Sequence, residues 1–154
     1  NTTIFPLVSI FLLKGVGFID SILLKTQKDR IIPYIASGIF FFWSYTVFKQ
    51  QPAYPLWMSA YLLGLFLASS AALISNIYMK VSMHAIGMGT WLGVFLMLMK
   101  THSMLMSWPL FVVILLTGIV CTARLLLNSH RPIEIYVGVA IGLLAEVISC
   151  NVIL

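Results

Sequence analysis

The chain has 154 residues, 61% of them hydrophobic and 8% charged, with a formal net charge of +5. A soluble domain carries about 25% charged and 45–50% apolar residues, and one of this size has too much surface to hide such an apolar excess. Composition therefore excludes an ordinary soluble fold and makes lipid the solvent for most of the outer surface. The basic excess suits anionic headgroups or a phosphorylated substrate. With no basic stripe interleaved with aromatics, nucleic acid is excluded as a partner.

A membrane-spanning helix needs about 20 mostly apolar residues. The first run that qualifies is 4–24. It carries Lys14 and Asp20 and lacks a basic leader or small-residue cleavage pattern, so it reads as a span rather than a signal peptide. Asn1 stands where an initiator methionine would, as expected of a fragment or processed product. A polar break, Lys25-Thr-Gln-Lys28-Asp-Arg30, leads to the second run, 31–48. Lys49 to Pro55 separates it from the third, 54–79. Lys80 to Ser82 is a brief interruption before the fourth, 84–100. Lys100 to Ser107 precedes the fifth, 106–124, and Arg124 to Pro132 precedes the sixth, 133–154. The runs are too long, and too little alternating, for barrel strands. Closed backbone hydrogen bonding then predicts an all-α polytopic bundle of about six transmembrane helices, forming one domain over 1–154.

Six spans fix a parity. Loops at 25–30, 80–83 and 124–132 share one membrane face, with Lys25, Lys28, Arg30, Lys80, Arg124 and Arg131. The loops at 49–55 and 100–107 share the other, with Lys49 and Lys100. The positive-inside rule would put the richer face in the cytoplasm. Basic residues that bind phosphate carry no topological signal, however, so the face is left unassigned. The expected location is integral to a membrane, the cell (inner) membrane first, and nothing in the chain signals an oligomeric state.

The richer face also holds His84, opening the fourth run, and His130, in the turn before the sixth. Two imidazoles, a carboxylate and cations can transfer a phosphoryl group. One ring attacks phosphorus, the carboxylate holds that ring's tautomer, the other ring protonates the leaving alkoxide, and cations neutralise the equatorial oxygens.

The spacing Arg124, five residues, His130, three residues, Glu134 resembles the third motif of the type 2 phosphatidic acid phosphatase family, S-R-x5-H-x3-D. Ala123 stands for its serine and Glu134 for its aspartate. Val81-Ser82-Met83-His84 resembles the second motif, P-S-G-H. The first motif, K-x6-R-P, is matched from Lys25 by Pro33, with Ile32 in the arginine's place and Arg30 two residues early. The resemblance implies six spans with the motif loops on one face. It implies His130 as nucleophile forming a phosphohistidine, Glu134 orienting it, and His84 as general acid and then base. It also implies phosphate binding by Arg124 and Ser82 with Lys25, Lys28 or Arg30. The expected substrate is a membrane lipid carrying a phosphomonoester or diphosphate. No carboxylate cluster is available to hold a divalent cation, so neither metal nor other cofactor is expected. A small-anion transporter or channel, or an inactive lipid-binding member of the same fold, are the competing readings.

Other polar residues invite structural roles. Lys14 and Glu146 lie roughly 16 and 18 Å from Lys25 and Glu134 along their helices at ~1.5 Å per residue, which predicts an ion pair at matching depth. Asp20, about 7 Å from Lys25 on the same rise, is placed to pair with a cation of the loop face or to cap a water-filled vestibule. Gly87 and Gly89 are expected to permit close helix approach. Trp43, Trp57 and Trp108 are expected in an interfacial belt. Cys121 and Cys150 are expected to be packing residues, Arg131-Pro132 to punctuate a helix start, and His102 to have no metal partner.

Overall fold

The computed structural model describes residues 27–154 except position 102, and their side chains except those of residues 29, 101 and 103–106. These residues form five helices and no strand: α1 (Gln27–Lys49), α2 (Leu56–Ser75), α3 (Met83–Thr101), α4 (Ser103–Leu126) and α5 (Pro132–Ile153). Each is long and apolar enough to cross a membrane. The all-helical expectation holds for the described residues. The expected first span at 4–24 lies outside them, as do Lys14, Asp20, Lys25 and His102.

The observed limits refine the expected ones. Gln27 to Arg30 already belong to α1, so Lys28 and Arg30 are helical rather than in a loop. The third run stops at Ser75, and Asn76 to Met79 are turn and bend. Asn76 donates its side-chain amide to the Gln27 carbonyl at 2.8 Å, tying the end of α2 to the start of α1.

The bundle is organised around α5, which packs on α3 and α2, while α1 packs on α2 and α4 on α3. Lipid is as apolar as leucine, so close van der Waals packing rather than water exclusion holds such helices together, and small residues allow it. At the α3–α5 crossing the two backbones touch. A Cβ on Gly89 would run into the Val139 carbonyl, and one on Gly142 into the Ile86 carbonyl. Gly87 differs from the expectation: a Cβ there would meet nothing within 4 Å among the described residues, where Gly89 rather than Gly87 makes the contact.

Glu146 is fully buried in α5 against Gly64 of α2 and Gly93 of α3. The Cys150 thiol donates to its Oε1 at 3.6 Å, while Oε2 has no hydrogen-bond partner among the described residues. Nearby, Ser149 donates its hydroxyl to the Ala60 carbonyl of α2. Trp43, Trp57 and Trp108 are 62%, 40% and 75% exposed, and all three lie toward the end of the bundle that carries the 50–55 connection. That placement fits a belt at the interface.

Candidate functional site

Two chain reversals, from α2 to α3 and from α4 to α5, meet the start of α1 at the opposite end, and the second is locally encoded. Asn128 has φ of 50°, the left-handed conformation that asparagine tolerates better than most residues. Its N–H donates to the Leu125 carbonyl at 2.9 Å, and that of Ser129 to the Arg124 carbonyl at 3.3 Å. This is the paired bonding of a Schellman stop. It ends α4 just beyond Arg124 and delivers His130 two residues later. Pro132 then opens α5 at the first helical position, where its missing N–H costs nothing. Arg131-Pro132 is thus a helix start, as expected.

Glu134, third in α5, accepts the Arg131 backbone N–H at 3.2 Å through Oε2, the carboxylate half of a capping box. The same oxygen lies 2.9 Å from His130 Nδ1. The Lys80 carbonyl approaches Nδ1 at 3.1 Å from the other side. Both neighbours are acceptors, so Nδ1 must carry the proton. In the neutral ring Nε2 then has the free lone pair. The His130 side chain is 5% exposed and that of Glu134 15%, so the pair is fixed by packing as well as by hydrogen bonds.

The 79–82 strap between α2 and α3 completes the frame. The Ser82 N–H donates to the Glu134 carbonyl at 3.3 Å, and the Val81 carbonyl accepts Arg30 Nη1 of α1 at 2.8 Å. Ser82 is fully buried, and its hydroxyl accepts the Ala85 N–H at 3.4 Å, as an N-cap residue does. The first-turn amides of Met83 and His84 precede the helix's own acceptors, which leaves them for an anion. His84 itself is exposed and lies within electrostatic range of Arg124, His130 and Arg30. Arg124, half-buried at the end of α4, has no hydrogen-bond partner among the described residues for its buried Nε.

Of the residues singled out from sequence, His84, Arg124, His130, Glu134, Ser82 and Arg30 therefore gather at one end of the bundle. Lys28 does not join them. It is exposed and lines a separate recess with Gln27, Ile31, Leu73, Asn76 and Ile77. Lys25 lies outside the described residues. Sequence reasoning missed the Lys80 carbonyl as the second acceptor for His130, because a main-chain oxygen leaves no mark on residue type. It also missed Asn128, whose signal, asparagine just past an apolar run, was readable. Chemically, the arrangement brings an imidazole nitrogen with a free lone pair, a second imidazole, and guanidinium and amide donors to one end of the bundle.

Comparison with protein-family models, curated proteins and solved structures finds no match.

Proposed function

We propose that this chain is an integral membrane phosphatase of the type 2 phosphatidic acid phosphatase kind, cleaving a phosphomonoester or diphosphate from a lipid. The observation that carries the reading is the His130 Nδ1–H held between Glu134 and the Lys80 carbonyl, which turns Nε2 into a nucleophile. His130 Nε2 attacks phosphorus, forming an N–P bond as the P–O bond to the lipid breaks. His84 delivers the proton to the departing oxygen, then takes one from the water that cleaves the phosphohistidine. Arg124 and the first-turn amides of α3 hold the phosphate oxygens as charge builds on them. The Glu134 carboxylate stabilises the ring as it becomes positive.

The connections between helices at this end are short, which favours a lipid phosphate over a soluble substrate needing its own recognition domain. Candidate lipids are phosphatidic acid, phosphatidylglycerol phosphate, a polyprenyl diphosphate and phosphorylated lipid A. An anion channel fits less well, because among the described residues no cationic side chain is buried between α2, α3 and α5 to line an anion path. The test is release of inorganic phosphate from this lipid panel by the detergent-purified chain. Release from at least one lipid is expected, and none from any would leave the inactive lipid-binding reading.

A further inference from the structure

The 79–82 strap touches two helices and the turn between α4 and α5 through its main chain. Lys80 offers its carbonyl to His130, Val81 its carbonyl to Arg30, and Ser82 its N–H to Glu134. Val81 and Ser82 are fully buried, and Arg30 is 6% exposed. The Lys80 and Val81 carbonyls belong to successive rigid peptide planes, joined only through the two torsions of Val81. Turning one plane therefore turns or displaces the next. A buried carbonyl that loses its donor is costly to leave unpaired, so without the guanidinium the 81–82 peptide would rotate toward another donor. The Lys80 carbonyl would move with it, away from His130 Nδ1.

We propose that Arg30 is a positioning residue for His130: it pins the Val81 carbonyl, and through the strap it fixes the Lys80 carbonyl that orients the imidazole. This differs from the role the family resemblance implies, in which a first-motif cation binds the phosphate directly. Arg30 still contributes positive charge at the site, but its 2.8 Å bond is to protein. The strap also leads directly into α3, so the same bond sets where His84 stands relative to His130. The inference rests on His130 being the nucleophile, whereas the pinning of the strap can be read without any activity.

The experiment compares the full chain in detergent with R30M and R30K. Hydrogen exchange across residues 79–86 should accelerate about tenfold or more in R30M while residues 139–150 keep the wild-type rate, because the opening is local. In kinetics with an accepted lipid, R30M should lower kcat about tenfold or more, with inhibition by orthovanadate, a phosphate mimic, changed less than about threefold. R30K, which keeps a donor, should recover part of both effects. Unchanged exchange of the strap in R30M, or vanadate binding weakened as much as kcat, would overturn the proposal. Should R30M lose helix content by circular dichroism, R30Q takes its place in both arms. If the wild-type chain releases phosphate from no lipid, the phosphatase reading fails while the exchange arm still decides whether Arg30 pins the strap.

Discussion

His130 and Glu134 stand one helical turn apart, and a single carboxylate oxygen of Glu134 both caps α5 at Arg131 and accepts the proton of His130 Nδ1 at 2.9 Å. Local structure and chemistry are thus coupled at one atom. The residue that caps the start of the helix also selects the tautomer of the ring in front of it.

That coupling predicts a double effect for Glu134→Ala. Loss of the cap should cost about 1 kcal/mol of stability, seen as a lower thermal midpoint in detergent. Loss of the Nδ1 acceptor should lower kcat by a much larger factor, on the order of 10²–10⁴ by analogy with triads whose orienting carboxylate is removed. Glu134→Gln, which can still accept both bonds without charge, should retain the stability and lose most of the rate. Equal losses of rate and stability in the two variants would contradict a separate chemical role.

The two imidazoles should separate by step. His130→Ala should form no phosphoenzyme, read as the absence of an acid-labile, base-stable phosphate on the chain after mixing with labelled lipid. His84→Ala should slow release of the lipid alcohol by about 10²–10⁴-fold, the usual yield of general acid catalysis. Wild-type turnover in either variant would remove that histidine from the mechanism.

The stop of α4 gives a stability test remote from the chemistry. Asn128→Gly should be neutral or slightly stabilising, since glycine adopts positive φ freely. Asn128→Val should cost about 1–2 kcal/mol, the penalty of a left-handed residue with a branched side chain. It should also reduce kcat, because His130 follows the stop by two residues. Thermal unfolding paired with phosphate release would show both, and a valine variant indistinguishable from wild type would argue against the stop as the element that delivers His130.

Close approach of α3 and α5 predicts opposite outcomes for two glycines. Gly89→Val should destabilise the chain by about 1–3 kcal/mol or more, as overpacking does when the obstacle is backbone. Gly118→Ala on α4, where a Cβ meets nothing within 4 Å among the described residues, should be neutral or stabilising by up to about 1 kcal/mol. Comparable midpoints for the two in one detergent would show that the crossing tolerates more separation than its geometry suggests.

Much of the frame was legible from residue order. The lengths of the apolar runs placed five of the expected spans, and their parity put Arg30, Ser82, His84, Arg124 and His130 at one end. Asn128 and Pro132 marked the turn between α4 and α5, and the spacing from His130 to Glu134 implied that they could meet. These features survive in sequence because length, helix breakers and one-turn spacing are local properties.

Which cation reaches the strap, and which backbone oxygen completes the histidine's cradle, emerged only from tertiary structure. Lys28 and Arg30 are two residues apart on α1, yet one lines an outer recess and the other is buried against Val81. Gly87 and Gly89 likewise part company on α3. The physical reason is that lipid and protein interior are both apolar, so a spanning helix needs no polar stripe to say which side faces inward. Rotation about the helix axis is then decided by backbone contacts such as Gly89 against Val139, and those contacts exist only once the helices are packed.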